Sequence, residues 1–408
     1  MERSLLYCTK FLTLPDLVRL IQTSKFFNVN IRNLSIDYFD FGDDYSDFGL
    51  EMIQTFPNLK ALHINVSCDQ FYKLSNLSRL WVNNIRGLNK NLKLLPNRDK
   101  LKLLVVDCLN GRPDEIYDTE NLSDVVPKLE AVHVRYSDFT NQFFWNFRNL
   151  TELCLICCYK ITNEVFRNLP NLERMYMRIS DIGDDAFRHI PNLKLLHFEN
   201  CSSLTNAAFK YLTQLDSLTI SNISSNQNIS DDAFRYLTNL TELCLQPNYG
   251  NDHSNFTLEI FKHLSKLKRL DLSGSNLVTP ELFQALNMRL DWLDIRRNLY
   301  QKPLPIPILI PKPIPIPKPM VENIFLDLHI KVLYIDKSYA HLTKSVLNCL
   351  IKNGLEELSV IHCSEFSGSR FSKKIYTKKN TFFGKNILNY LSWIKSKYTC
   401  AEIKSLLI

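Results

Sequence analysis

Residues 150–171, LTELCLICCYKITNEVFRNLPN, place Cys154, Cys157 and Cys158 within five positions. Thiols so close together could hold a soft metal, close a disulfide or supply a nucleophile. Each of these chemistries needs partners. Cys154 and Cys157 form a Cys-x-x-Cys pair, but no second pair of ligands lies nearby in the sequence. The chain has 11 cysteines, an odd and scattered set. Its first apolar stretch, SLLYCTKFLTLP, is broken by Lys10 and Pro15 and has no small-residue cleavage site, so reduced thiols and no secretory leader are expected. The nine histidines are scattered, with no His-Glu-x-x-His, and ten glycines leave little room for a phosphate-cradling loop. No enzymatic activity and no cofactor are expected.

The segments around the cysteines show what positions them. After LTELCLICCYKITNEVFRNLPN come LERMYMRISDIGDDAFRHIPN, LKLLHFENCSSLTNAAFKYLTQ and LDSLTISNISSNQNISDDAFRYLTN, of 22, 21, 22 and 25 residues. Each opens with apolar residues at relative positions one, four and six. Each closes on an aromatic residue and an apolar one three positions later: Phe166 and Leu169, Phe187 and Ile190, Phe209 and Leu212, Phe234 and Leu237. The same frame starts upstream at Leu59, Leu77, Leu101 and Leu129, and downstream at Leu240, Leu267, Leu290, Ile330 and Leu355. This periodicity is the signature of a leucine-rich repeat. The xLxL part predicts a short strand with two inward side chains, and Phe-x-x-Leu predicts one face of a helix. No unit can bury its apolar face alone, so stacked units must share a core. The fold expected is an α/β solenoid, a horseshoe of about 13 units over residues 56–369.

In this frame Cys158, Cys201 and Cys363 occupy one position, eight residues after the first leucine of their units. A small, weakly polar side chain fits a buried turn there and can bond free backbone groups. Cys154 and Ile156 are expected at the surface of the strand, with Cys244 the counterpart of Cys154. Asn-Leu-Thr or Asn-Leu-Ser recurs at Asn76, Asn121, Asn149 and Asn239. These read as a hinge of the repeat rather than as glycan acceptors.

The ends depart from the repeat. Residues 1–35 carry helical apolar spacing (Leu17, Leu20, Ile21, Phe26 and Phe27), with Asp16 placed to cap and Pro15 ahead of it. Residues 36–55 connect to the first unit. Within 302–319, KPLPIPILIPKPIPIPKP, stand eight of the chain's 17 prolines, which exclude helix and inner strand and predict an extended insertion. Residues 370–408 hold nine basic residues and one acid, +8, so residues 1–369 sum to −1 within the total of +7. That tail places Phe383, Ile387, Leu391 and Ile394 at helical spacing and reads as a basic capping helix. The balanced body does not have the charge of a nucleic-acid binder. No apolar run reaches the length of a membrane span.

LPDLVRLIQTSKFF resembles the second half of an F-box, through Leu12, Asp16, Leu17, Leu20, Ser24, Lys25 and Phe27. The opening Leu-Pro-x-Glu-like element of that motif is missing here. ICCYKITNEVF is similar to the Cys-x-x-Ile-Thr-Asp element of the cysteine-containing leucine-rich repeats that commonly follow an F-box. The resemblance implies a substrate receptor of a cullin–RING ubiquitin ligase. Leu14, Pro15, Leu17, Leu20, Ile21, Phe26 and Phe27 would meet a Skp-type adaptor, and the repeats would hold the target protein. It also implies an intracellular, cytoplasmic protein, monomeric within its complex. The alternative is a stand-alone repeat scaffold or inhibitor with no ligase link.

Alternation along the strands predicts the target-binding face. Side chains pointing away from the shared core include Trp81, His133, Arg135, Tyr176, Arg178, His197, Glu199, Asp271, Trp292, Asp294 and Arg296. Aromatic and arginine side chains on a rigid surface are the usual anchors of protein interfaces. Their mixed charge points to a protein partner rather than a polyanion.

Overall fold

A computed structural model describes residues 59–64, 69–83, 88–108, 122–247, 255–275, 277–286, 290–296, 329–336, 349–350 and 352–361. The F-box-like segment 1–35 with its seven expected adaptor contacts, the connector 36–55, the proline-rich insertion 302–319, Cys363 and the tail 370–408 lie outside the described residues. By its internal contacts the chain divides into two compact units, one holding the repeats through Asn171 and one holding those from Leu172.

The first unit contains five strands: β1 (Ala61–Ile64), β2 (Arg79–Val82), β3 (Leu103–Asp107), β4 (Ala131–Arg135) and β5 (Glu152–Ile156). They lie parallel in sequence order. Leu62, Leu80, Leu104, Val132 and Leu153, which share relative position four, are successive partners, so the ladder follows the sequence frame without a slip. The second unit contains β6 (Arg174–Arg178), β7 (Leu195–Glu199), β8 (Ser217–Ser221), β9 (Glu242–Gln246), β10 (Arg269–Asp271), β11 (Leu290–Asp294), β12 (Ile330–Asp336) and β13 (Glu357–Ile361). Its strands are also parallel and in order, and Met175, Leu196, Leu218, Leu243, Leu270, Leu293, Leu333 and Leu358 are successive partners. A one-residue slip would turn every inward side chain out of the core, which is why the xLxL pattern fixes the register.

Positions one, four and six form the core: Leu150, Leu153 and Leu155 are fully buried, and so are Leu215, Leu218 and Ile220. The aromatic position completes it, with Phe144, Phe166, Phe187, Phe209 and Phe234 all inaccessible to solvent. Burying each such ring stabilises by roughly 1.5–3 kcal/mol. The segments carrying these rings differ from expectation. In the four units quoted above, Asn163–Asn168, Asp184–His189 and Asp231–Tyr236 are 3₁₀ turns, and only Asn206–Phe209 is a single α turn. The 3₁₀ form eclipses side chains three apart. It therefore drives both members of Phe-x-x-Leu into the core, and it closes with bonds from Leu169 N–H to Phe166 O (3.1 Å), Ile190 N–H to Phe187 O (3.3 Å) and Leu237 N–H to Phe234 O (3.0 Å).

Polar clamps tie several of the turns to the next. Asp184 accepts from the backbone N–H and hydroxyl of Thr205 at 2.8 and 2.6 Å, and Asp231 accepts from those of Thr257 at 2.8 and 2.5 Å. Asn141 with Thr162 and Asn206 with Ser230 make the same double contact with amide side chains. The hinge asparagines have a role of the same kind. Asn149 donates to Pro127 O at 3.1 Å and Asn239 to Thr213 O at 2.8 Å, each satisfying a carbonyl of the preceding repeat. Asn121 lies outside the described residues. Among the described residues no helix is long and apolar enough to cross a membrane.

Candidate protein-binding face

Cys158 and Cys201 are buried as the frame predicts. The Cys158 thiol donates toward Val134 O and Ile156 O at 3.4 and 3.3 Å, and the Cys201 thiol toward Glu199 O at 3.4 Å. Burial pushes both thiols up, Cys201 to about 12, so each remains a protonated donor at neutral pH. Cys157 occupies the strand exit with φ +54°, a left-handed position that Tyr136 shares in the first unit and that Ile179, Asn200 and Asn222 share in the second. Among the described residues no three His, Cys, Asp or Glu side chains are grouped to hold a metal.

Cys154 and Ile156 are 1% and 6% exposed, not surface residues as expected. Alternation places them on the sheet face opposite the core, here called the ladder face, where side chains on strands about 4.8 Å apart stand against one another. Trp81, His133, Arg135, Tyr176, Trp292 and Asp294 are likewise buried on this face, while Arg178, His197, Glu199, Asp271 and Arg296 are partly exposed. These eleven side chains lie on the ladder face, but less of them is offered to solvent than alternation suggested.

In the first unit the ladder face closes its charges one against one. Arg135 donates to Asp107 across β4 and β3 at 3.2 Å, with side chains 2% and 4% exposed. His133 contacts Glu152 across β4 and β5 at 2.7 Å, and His63 contacts Asn83 at 3.0 Å. Glu152 was not among the expected site residues. Its place two residues before Cys154, with the same parity, is the signal that reveals it. Trp81 pairs with His63 and Val105 in this column.

In the second unit Arg178 meets Glu199 at 3.2 Å, and His197 contacts Ser221 at 3.2 Å, with Ser221 in turn donating to Gln246 at 3.2 Å. Tyr176 stands edge-on to His197, with centroids 6.1 Å apart. Burial, helped by the Arg178 charge, lowers the His197 imidazole to about 4, so it is neutral at pH 7. Burial also raises the Glu199 carboxyl, which Arg178 partly offsets.

Farther along the second unit the count is unequal. Asp271 and Asp294 are partners on β10 and β11. Arg296 Nε lies 2.9 Å from both Asp294 oxygens, its Nη2 also donates there, and its backbone N–H bonds Asp294 Oδ1 at 3.0 Å. The guanidinium lies over Tyr334, 5.2 Å from the ring centroid, and Trp292 is 5.4 Å from the same ring. Asp294 is pushed up to about 6, by burial first and then by the Asp271 charge, against the opposing pull of Arg296.

A family model described as a BspA type leucine rich repeat region matches residues 159–288 in six copies. Among solved structures, a TLR13–ssRNA13 complex is similar at 17% identity with a TM-score of 0.40, covering 76% of this chain and 55% of that one. The Toll–Spatzle complex of Drosophila is similar at 17% identity with a TM-score of 0.46, covering 74% and 40% respectively. This chain thus spans about half the length of these solved proteins. No curated protein matches it. With strands in register within each unit, Phe-x-x-Leu turns sharing one core in each unit, and six copies recognised within residues 159–288, the chain has a leucine-rich-repeat fold.

Proposed function

We propose that the chain is a protein-interaction scaffold that holds a target on its ladder face, and that residues 1–35 tether it to a Skp-type adaptor as the substrate receptor of a cullin–RING ubiquitin ligase. The observation that carries the scaffold reading is the ladder face. It lines up Trp81, Tyr176, Arg178, Trp292 and Arg296 on successive strands, with Arg178 held by Glu199 of the next strand and Arg296 by Asp294. Anchors already fixed in place lose little conformational entropy on binding, and tryptophan, tyrosine and arginine carry the largest shares of interface energy. The alternation of charge along the face favours a protein over a polyanion as the occupant.

The ligase reading is supported by the sequence element LPDLVRLIQTSKFF, with Leu14, Pro15, Leu17, Leu20, Ile21, Phe26 and Phe27 as the adaptor contacts, and an intracellular location goes with it. The test mixes purified Skp-type adaptor with the full chain and with the Leu17→Asp/Leu20→Asp double variant. Capture of the parent and loss in the variant supports the receptor role. A folded parent that captures no adaptor leaves the stand-alone scaffold. In that case partners retained by the parent and lost from an Arg178→Ala/His197→Ala variant identify the ladder face as the binding surface.

A further inference from the structure

The charged groups on the ladder face fall into two kinds. Asp107 with Arg135, His133 with Glu152, and Arg178 with Glu199 each set one acid against one base. The corner at β10–β12 sets two carboxylates, Asp271 and Asp294, against the single guanidinium of Arg296. We infer that Asp271, Asp294 and Arg296 form a proton-linked element of the fold, which takes up one proton as a unit and tightens the β10–β12 ladder when the medium is acidified.

The geometry supports this. The two aspartates are direct ladder partners on neighbouring parallel strands, a spacing of about 4.8 Å between backbones. The Asp294 side chain is 1% exposed, so water does little to screen the repulsion. Arg296 is committed to Asp294 through its guanidinium and its backbone N–H, and it is held in place over Tyr334. Asp271 accepts from Ser273 N–H at 2.9 Å, a neutral donor that does not cancel its charge. The remaining ionisable neighbours do not restore the balance. Arg269 on β10 is engaged with Glu242, and Lys331 on β12 with Asp291. The Cys244 thiol on β9 is held protonated by burial first and then by Asp271. Two like charges with one counter-charge titrate jointly, so the proton belongs to the pair and not to one residue. Removing Asp294 must therefore abolish the linkage and removing Asp271 must weaken it, and the second effect distinguishes a coupled pair from a single buried acid. The inference does not depend on which partner occupies the face.

The experiment is urea unfolding of the full-length parent, Asp271→Asn and Asp294→Asn between pH 4.5 and 7.5. His197 and the other titrating groups are common to all three proteins, so the readout is the parent-to-variant ratio of folding constants. The account predicts that this ratio rises on acidification for both variants, about tenfold or more for Asp294→Asn, the linkage expected for one unit of raised proton affinity, and by a smaller factor of more than about twofold for Asp271→Asn. A ratio constant within about twofold overturns it, as does a change seen for Asp294→Asn alone. Should Asp294→Asn not fold, an NMR titration of carboxyl-labelled aspartate in the parent and in Asp271→Asn decides. An aspartate titrating near pH 6 in the parent and at clearly lower pH in Asp271→Asn supports the pair. Ordinary titration of every aspartate, or an unchanged curve in Asp271→Asn, overturns it.

Discussion

The ladder face at β3–β5 and the ladder face at β10–β12 use the same kinds of side chain in the same repeat frame and arrive at different electrostatics. At β3–β5 each acid faces one basic side chain: Asp107 with Arg135 at 3.2 Å, Glu152 with His133 at 2.7 Å. At β10–β12 Arg296 is engaged with Asp294, and Asp271 is the ladder partner beside them. A closed buried pair resists change because removing one member strands the other away from water. An unequal group can relieve itself by taking up a proton. The repeat specifies where these residues stand, and the count of charges in each neighbourhood decides what they do.

The largest expected effect comes from opening the closed pair. Asp107→Asn should destabilise the fold by about 3 kcal/mol, because Arg135, 2% exposed, keeps its charge with its acid gone. Urea midpoints at neutral pH read this directly. The next effect is in the pH profile. A carboxyl raised to about 6 from 3.8 makes stability fall as pH rises through that window, whereas His197, lowered to about 4 from 6.5, makes stability fall as pH drops through nearly the same window. The two oppose each other in the parent, so its stability should change little from pH 4 to 6.5. Asp271→Asn weakens one arm. Its stability should fall on acidification by on the order of 1–3 kcal/mol, a slope that thermal melts across pH would show.

Glu152→Gln should cost about 1–2 kcal/mol, since it replaces a charged acceptor at His133 with a neutral one in a nearly buried site. Ile179→Asn should stabilise by about 0.5–1 kcal/mol. Ile179 holds φ +49°, where a β-branched residue is strained, and Asn200 and Asn222 already occupy the equivalent exits of the next two repeats. Thermal melts of these two single variants give both signs. The smallest effect belongs to Lys102→Ala. The Lys102–Glu130 pair is 42% and 54% exposed, and its loss should move stability by less than about 0.5 kcal/mol.

The strand register in both units was legible because leucines at positions one, four and six admit one alignment, and each described pairing follows it. Cys158 and Cys201 were legible by their shared offset from the first leucine. The turns were not, because Phe-x-x-Leu suits an α-helix and a 3₁₀ turn equally, and short units favour the tighter form. The clamps at Thr162–Asn163, Thr205–Asn206 and Ser230–Asp231 left a readable signal, a hydroxyl residue followed by Asn or Asp at each turn start. Recognising it requires knowing that successive turns stack. The burial of Cys154, Trp81 and Asp294 was beyond alternation alone, which says to which side a residue points and nothing about how closely its ladder partners stand.

The most direct test sets Asp107→Asn beside Asp271→Asn in urea unfolding at pH 7, against the parent. The account predicts opposite outcomes: a loss of about 3 kcal/mol for Asp107→Asn, and no loss or a small gain for Asp271→Asn, where one of two repelling carboxylates is removed. Equal losses from both variants would contradict it, because the β10–β12 corner would then be as closed as the β3–β4 pair.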